Sequence, residues 1–212
     1  MKIIDLSHTI SPDMPVYPGT EPPVILNECS IEHDGFYERK ITFYSHTGTH
    51  MDAPAHLIYG SETLDQFALE SFFGQAFLLD VVQDKKRLID VSDLEPHQEI
   101  LKRVEFFILH TGWSRFWGMK KYFHDYPVLN DEAAEWLDQF HLRGIGLDTI
   151  SADRADSRDF PVHQIILKSH TLIIENLANL DIIPSKTFLF ACFPLKFEHA
   201  DGSPVRAVAI IE

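Results

Sequence analysis

Residues 45–56 read SHTGTHMDAPAH, and this stretch holds three imidazoles and one carboxylate within eleven residues. The four side chains are those of His46, His50, Asp52 and His56. All four occupy even positions, so an extended chain would direct them to one side. Gly48 permits the backbone to bend, and Pro54 opposes a helix. We therefore expect these side chains to converge where a strand ends and runs into a loop.

Imidazole and carboxylate groups at this density are typical of a metal site. A lone histidine near a strand end is more often a hydrogen-bonded core or surface residue, but folding does not require four ligand-type side chains together. Mixed nitrogen and oxygen donors suit zinc, manganese or iron, with zinc first on ligand type. The stretch therefore predicts a bound divalent metal ion.

Two later residues are candidates to complete the site. Glu175 ends the apolar run Leu172–Ile174, where an ionised carboxylate is costly unless it meets a cation or a strong donor. The alternative for Glu175 is a solvated strand end. His163 lies early in a short predicted helix, where the alternative is a polar helix face.

Length and composition indicate one globular domain. The chain has 212 residues, of which 45% are hydrophobic and 24% charged, so we expect a single domain over residues 1–212. A domain of this size buries roughly 70% of its unfolded surface and needs no metal to hold its core together. A metal ion would therefore serve chemistry. Cys29 and Cys192 stand far apart and predict two reduced thiols.

Acidic residues dominate the charge. Lys and Arg total 18 against 32 Asp and Glu, which gives a formal net charge of −14. Such a surface repels phosphate backbones and anionic lipid, so we expect neither a nucleic-acid nor a membrane partner. The N-terminus, MKIIDLSHTI, lacks the long apolar stretch of a signal peptide. We expect a cytoplasmic protein.

Short apolar runs mark most of the predicted strands. These strands are Ile3–Ser7, Lys40–His46, Ala76–Val82, Val104–His110, Gly144–Thr149, Thr171–Glu175, Thr187–Cys192 and Val205–Ile211. Continuous apolar runs are typical of strands covered on both faces, whereas Lys40–His46 alternates as a half-buried strand does. The five prolines between Ser11 and Pro23 predict an extended loop.

Helical patterns are scarcer. Asn130 can cap a helix, and the residues at the spacing of one buried stripe are Ala133, Trp136, Leu137 and Phe140. Pro161–Lys168 is a shorter candidate with proline in its first turn. Strands outnumber helices, so the pattern predicts an α/β or mixed fold with a strand-rich core.

The stretch from His46 to His56 resembles the H-x-G-T-H-x-D-x-P-x-H signature of the cyclase-like metal-dependent hydrolases, the family of bacterial kynurenine formamidase. The resemblance extends over nearly the whole chain through weaker matches. These matches are Asp5-Leu-Ser, Pro15-Val-Tyr-Pro-Gly19, Gly146-Leu-Asp-Thr149, Glu175-Asn-Leu and Asp201-Gly-Ser-Pro-Val-Arg206. The resemblance implies a swivelling β/β/α fold with an α/β core and a partly closed sheet.

The resemblance also implies roles for individual residues. It implies two metal ions per chain, usually Zn²⁺ and in some relatives Mn²⁺. The implied ligands are His46, His50, Asp52, His163 and Glu175, with Asp52 and Glu175 bridging. His56 would be the acid/base residue, and Tyr17 falls where formamidases carry an aromatic residue, often tryptophan, beside the substrate. His170 stands where many relatives have glycine, and the relatives are commonly dimers or tetramers.

Ligand chemistry points to metal-assisted hydrolysis of a small-molecule substrate. A divalent ion lowers the pKa of water and polarises an amide or ester carbonyl, so that hydroxide attacks it. His56 can move the proton, because imidazole titrates at about 6.5. Its spacing from Asp52 also permits a role as a ligand. The sequence has no G-x-S-x-G elbow, and Cys192 has no basic neighbour in sequence, which opposes a covalent nucleophile.

Three functions follow, in order of preference. The first is hydrolysis of a small aromatic amide such as N-formylkynurenine to formate and an aryl amine. The second keeps the site and opens a cyclic amide or lactone, as isatin hydrolases and cyclases do. The third is a metal-binding protein without turnover. Tyr17 lies in the proline-rich loop and is expected to present its ring to an aryl substrate, with a surface or subunit contact as the alternative.

Overall fold

The computed structural model describes residues 1–84 and 86–211. The strands are β1 (Lys2–Asp5), β2 (Val24–Cys29), β3 (Glu38–Thr42), β4 (His50–Asp52), β5 (Phe73–Asp80), β6 (Leu88–Ile89), β7 (Phe106–His110), β8 (Val128–Leu129), β9 (Gly144–Leu147), β10 (Leu172–Glu175), β11 (Thr187–Pro194) and β12 (Gly202–Ile211). The α-helices are α1 (Ile31–Asp34), α2 (Val91–Leu94), α3 (Gln98–Leu101), α4 (Asp131–Asp138) and α5 (Pro161–Lys168).

The main sheet closes on itself. Its strands follow the order β12-β11-β5-β7-β9-β10-β4, and β4 pairs back with the first residues of β12. Strand β1 continues along β12 beyond β4, with Lys2 opposite Ile211. Strands β5, β7, β9 and β10 run parallel, and the remaining pairings in this sheet are antiparallel. The strand-rich, partly closed sheet expected from the sequence is confirmed.

Strand β7 shows why the apolar runs form the closed sheet. All five of its residues are buried. Phe106 and Ile108 belong to one hydrophobic core, whereas Phe107 and Leu109 belong to a second core shared with α4 and α5. Alternate side chains therefore enter opposite cores, and a strand buried on both faces needs apolar residues at every position.

Both predicted helices form on this second core. Asn130 caps α4, because its side chain accepts a hydrogen bond from the backbone N–H of Ala133 at 2.8 Å. Leu137 of α4 and Ile166 of α5 are buried in the shared core. Proline begins α5, where its missing N–H costs nothing. No helix within residues 1–84 and 86–211 is long and apolar enough to cross a membrane.

The prediction for Lys40–His46 is wrong over its second half. Strand β3 ends at Thr42 and, in the part of the chain that the structure describes, pairs only with β2, a strand outside the predicted set. Every residue of β3 is exposed, because the β2–β3 ribbon stands outside the main sheet. The alternation of Ile41 with its neighbours therefore does not mark a buried face, and His46 lies in a bend beyond the strand.

Candidate metal centre

The shortest strand of the closed sheet carries two of the predicted ligands. Strand β4 lies between β10 and β12 and begins with His50 and ends with Asp52. His50 is directly opposite Glu175 of β10. Opposed residues of an antiparallel pair point to the same face, and so do residues two apart in a strand. The strand register therefore brings His50, Asp52 and Glu175 together.

Two glycines bring His46 to the same place. Gly48 has a φ of +67°, a left-handed conformation that bends the chain between His46 and β4. Gly202 of β12 lies against the His46 ring, and a Cβ built there would be 2.4 Å from the ring carbon Cε1. His46 therefore packs against the bare backbone of β12, where no side chain larger than hydrogen fits without a shift.

Asp52 and Glu175 lie among three histidines. The Oδ1 atom of Asp52 is 2.6 Å from His46 Nδ1 and 3.3 Å from His50 Nε2. Glu175 places Oε1 at 3.2 Å from His163 Nε2 and Oε2 at 3.6 Å from His50 Nε2. Asp52 Oδ2 is 3.7 Å from the same His163 nitrogen. Asp52, Glu175, His50 and His163 are all buried.

The outer nitrogens of two histidines are held by acceptors. His50 Nδ1 lies 2.9 Å from the carbonyl oxygen of Gly48, and His163 Nδ1 lies 2.6 Å from a carboxylate oxygen of Asp153. Both Nδ1 atoms must carry the proton, because a carbonyl and a carboxylate accept. In a neutral ring, Nε2 then turns a lone pair toward the carboxylates of the site, an arrangement that repels unless a cation lies between.

The donor set fits divalent metal ions. Two ligands about 2 Å from an ion at tetrahedral angles lie roughly 3.3 Å apart, which is close to the separations found here. Three groups bring their ligand atoms within 4.8 Å of one another, namely His46/His50/Asp52, Asp52/His163/Glu175 and His46/His56/Asp201. The first two share Asp52, so one carboxylate can contact two ions.

The negative charges of the carboxylates strongly favour positive charge on the neighbouring groups. Burial alone would lower the pKa of His46, but the charge of Asp52 and the hydrogen bonds that the ring donates to Asp201 and Asp52 outweigh it and raise this pKa to about 10. For His163, hydrogen bonds to Asp153 and Glu175 likewise overcome burial and raise the pKa to about 10. Protons supply this charge when no metal is bound, so metal binding must release them.

His56 lies at the edge of the cluster in different surroundings. It is in a 3₁₀ turn, Pro54–His56, directly after β4. Its ring centroid is 3.9 Å from that of His46, and its Nδ1 is 3.8 Å from Asp201 Oδ2. Burial and the charges of His46 and His163 lower the pKa of His56, although Asp52 opposes them. His56 is therefore neutral near pH 7 and can accept a proton.

A cavity of about 510 Å³ opens onto the cluster. Tyr17, Tyr44 and Phe160 contribute aromatic rings to its lining, beside all six clustered residues predicted from the sequence to bind metal or transfer protons. The residues of this set that line the cavity are His46, His50, Asp52, His56, His163 and Glu175. Tyr17 itself is 37% exposed.

His170 lies apart from the centre. It is in the turn between α5 and β10 with a φ of +59°, which explains why glycine suits this position. Its Nδ1 contacts Glu62 Oε2 at 3.3 Å, and both side chains are more than half exposed. The residue therefore affects a surface turn and no ligand.

Three residues of the centre received no role in the sequence analysis. Asp201 precedes β12 and holds His46 Nε2 at 3.0 Å. Asp153 accepts from the backbone N–H groups of Val162 and His163 at 3.0 Å. Asn176 follows Glu175 and donates to the Gly48 carbonyl at 2.9 Å. Asp201 and Asn176 stand in motifs that matched the family weakly, whereas the local sequence around Asp153 carries no signal of its role.

Comparisons with known proteins agree with this architecture. A family model described as "Putative cyclase" matches residues 4–154. Kynurenine formamidase of Bacillus cytotoxicus is 31% identical over 206 residues, which cover 97% of this chain and 95% of that protein. Isatin hydrolase A from Ralstonia solanacearum has a TM-score of 0.87 at 28% identity, covering 100% of this chain and 92% of that one.

A second solved structure supports the fold alone. Isatin hydrolase A from Labrenzia aggregata, bound to benzyl benzoate, has a TM-score of 0.90 at 24% identity, covering 99% of this chain and 93% of that one. The closed sheet and its buried ligand cluster define a metal-dependent hydrolase. More particularly, the chain belongs to the cyclase family. The family and the enzyme class expected from the sequence are confirmed.

Proposed function

We propose that the protein hydrolyses a small aromatic amide, with aryl formamides of the N-formylkynurenine type as its substrates. The observation that carries this proposal is the shared cavity, in which the ligand cluster and the rings of Tyr17, Tyr44 and Phe160 line one space. A flat aryl group can stack on such rings while its amide reaches the cluster. The similarity to a kynurenine formamidase over nearly the whole chain supports the same substrate class.

We propose two divalent ions per chain, Zn²⁺ first and Mn²⁺ as the alternative. Their ligands would be His46, His50, Asp52, His163 and Glu175, with Asp52 and Glu175 shared. Such ions, when bound, activate water near neutral pH and polarise the amide carbonyl. The buried imidazoles and carboxylates suit this task, because each histidine already presents a nitrogen to a carboxylate oxygen.

The protein side chains handle orientation and the proton. His56 is neutral near pH 7 and accepts the proton that the attacking water loses. The carbon–nitrogen bond then breaks, and His56 returns that proton to the leaving nitrogen, so that formate and an aryl amine are released. Asp201, 3.8 Å from His56 Nδ1, favours the protonated ring between these two transfers. Tyr17 would hold the aryl ring.

A substrate panel tests the proposal. Purified protein loaded with Zn²⁺ or Mn²⁺ is assayed with N-formylkynurenine, formanilide, a small non-aromatic formamide, isatin and an aryl lactone. We expect aryl formamides to have the highest kcat/KM, with loss of turnover after chelation and recovery after metal return. Absence of turnover on every compound by the metal-loaded protein would reject hydrolysis of these substrates and favour a binding role.

The second candidate is opening of a cyclic amide or lactone. It is favoured by the similarity to isatin hydrolase A from Ralstonia solanacearum, which extends over the whole chain. Ring opening needs the same water and proton transfers, but the leaving nitrogen or oxygen stays attached to the product. A kcat/KM for isatin above that for the aryl formamides would make this candidate the function.

We also propose that the chain forms a homodimer or homotetramer. Val24, Leu26 and Ile41 of the β2–β3 ribbon are each about half exposed. A two-stranded ribbon is marginally stable alone. This ribbon exposes apolar side chains on both faces, Val24 and Leu26 on one and Ile41 on the other, and packing against another chain would bury them. Sedimentation equilibrium should give a multiple of the 24.4 kDa chain mass, which Ile41→Glu reduces. A wild-type monomer would contradict this.

A further inference from the structure

A buried hydroxyl lies behind the metal centre and outside the cavity lining. Tyr122 is fully buried in an aromatic cluster after β7, together with Trp113 and Tyr126. Its hydroxyl donates to the side-chain oxygen Oδ1 of Asn176 at 2.8 Å. Trp113 donates its indole N–H to the backbone oxygen of Tyr122 at 3.0 Å, which fixes the position of this residue. Within residues 1–84 and 86–211, Tyr122 forms no hydrogen bond with a proposed ligand.

The hydroxyl decides which way the Asn176 side chain faces. Burial raises the pKa of Tyr122 well above its ordinary value, with the charges of Asp148 and Glu175 adding to the effect, so the hydroxyl remains a donor. A donor at this place requires the amide oxygen to face Tyr122, and the amide nitrogen then faces the Gly48 carbonyl at 2.9 Å. The backbone of Asn176 is also fixed, because its oxygen accepts from Thr49 Oγ1 at 2.7 Å.

The Gly48 carbonyl connects the Asn176 amide to the proposed metal ligand His50. It accepts from Asn176 Nδ2 and from His50 Nδ1, each at 2.9 Å. The second bond keeps the proton of His50 on Nδ1 and turns Nε2 toward Asp52 and Glu175. If the amide turned over, its oxygen would face the Gly48 carbonyl and repel it. The ring of His50 would then lose its fixed acceptor.

We propose that Tyr122 is a positioning residue for the metal centre, acting through Asn176 and the Gly48 carbonyl on the orientation of His50. This inference rests on the proposed metal site, but it concerns affinity and geometry and does not depend on the substrate. The Tyr122 hydroxyl fixes one orientation of the buried Asn176 amide. That orientation keeps His50 Nδ1 on the Gly48 carbonyl and leaves Nε2 facing the carboxylates. The aromatic cluster thereby supports the centre from behind β10.

The test compares Tyr122→Phe with Tyr126→Phe, which removes a hydroxyl from the same buried cluster. Zn²⁺ affinity is measured by chelator competition, the ligand geometry by the visible spectrum of Co²⁺-substituted protein, and stability by urea denaturation of the metal-free protein. We expect Tyr122→Phe to weaken Zn²⁺ binding about tenfold and to change the Co²⁺ spectrum. Tyr126→Phe should leave both at the wild-type values, even if the two variants lose similar stability.

A second variant keeps the inference testable if Tyr122→Phe fails to fold. Asn176→Asp retains an acceptor for Tyr122 but cannot donate to Gly48, so it should weaken Zn²⁺ binding at least as much. Unchanged affinity in whichever of these two variants folds would overturn the inference, as would equal losses in Tyr122→Phe and Tyr126→Phe. If the wild type binds no Zn²⁺, the proposed metal site itself fails. If the wild type binds Zn²⁺ and the variants bind it equally well, only the role of Tyr122 fails.

Discussion

The histidines of the centre differ in charge because their neighbours differ. His46 and His163 lie against carboxylates that raise the pKa of each ring to about 10, despite the burial that opposes it. His56 lies at the edge, where burial and the neighbouring histidines lower its pKa. One short stretch of sequence and one helix thus provide two kinds of imidazole. The first kind suits cation binding, and the second suits proton transfer.

His56→Ala should separate proton transfer from metal binding. We expect the kcat for the best substrate of the panel to fall by about 10²- to 10⁴-fold, the range for a positioned acid/base group. The metal content should stay near the wild-type value, because the ligands of both proposed ions lie elsewhere. Elemental analysis of the variant checks the second point. A loss of metal in proportion to activity would instead make His56 a ligand with His46 and Asp201.

Tyr17→Ala should act on substrate binding alone. Stacking of an aryl substrate on this ring contributes roughly 0.5–1.5 kcal/mol beyond burial, so we expect KM for aryl formamides to rise several-fold. KM for a small non-aromatic formamide and the metal content should not change. Tyr59→Ala is the matched control, because Tyr59 is fully exposed and outside the cavity lining. An unchanged KM for aryl substrates would remove Tyr17 from the binding site.

Strands differ in how much their own sequence reveals. Residues 106–109 and 172–174 are apolar runs buried on both faces, so every residue of these runs indicates burial. Strand β4 has only three residues and takes its place from pairing with β10 and β12. No local pattern encodes that pairing. The prediction of a closed sheet therefore came from the family resemblance and not from periodicity.

The residues of the site also differ in how far the sequence alone predicts them. His46, His50 and Asp52 are close in sequence, so their density marks them as candidate ligands before any fold is known. Asp153 and Asp201 are recognisable only by the partners that folding brings to them, namely His163 and His46. An aspartate in a loop is ordinary, and its role depends on contacts across the chain.

The close approach of β12 to His46 yields a prediction about that strand. Gly202→Ala would put a Cβ 2.4 Å from the His46 ring, so the ring must leave its position between Asp52 and Asp201. We expect loss of metal affinity and of kcat while the circular dichroism spectrum stays native. Gly74→Ala on β5 is the control, because its Cβ would crowd Glu105, which precedes β7, and should leave the metal affinity unchanged. Full metal binding by Gly202→Ala would contradict the described packing.

At the scale of the whole molecule, the closed sheet joins distant parts of the chain around one centre. The proposed ligands come from the bend before β4, from β4 itself, and from α5 and β10, and the segment after β1 contributes Tyr17 to the cavity. The proposed metal sites exist only in the folded chain, because the unfolded chain lacks this arrangement, so added metal should raise the apparent stability. Removal of metal leaves buried carboxylates that only protonated histidines can balance.

The segment after β1 also makes the stability of the molecule depend on pH. His8 stacks on Trp117 with ring centroids 3.8 Å apart, and burial lowers the pKa of His8 to about 4, against the opposing charge of Asp5. In the unfolded chain this pKa is about 6.5, so the unfolded state binds more protons between these values. The stability present above pH 6.5 is therefore lost as pH falls toward 4.

His8→Gln should reduce this loss. We expect the free energy of unfolding of the metal-free variant to fall less than that of the wild type between about pH 7 and about pH 4.5, by roughly 1–3 kcal/mol. Urea denaturation at both pH values measures it. His124→Gln is the control, since His124 is exposed. A pH dependence of His8→Gln equal to that of the wild type would show that His8 does not contribute.

The measurement that tests the central claim most directly is the metal content of the purified protein. Elemental analysis after loading with Zn²⁺ and removal of free metal should give more than one ion per chain, because the two proposed sites share Asp52. Asp52→Ala should lose metal and activity together, since that carboxylate would contact both ions. A wild-type content near zero after metal loading would contradict the account and remove the basis of its catalytic claims.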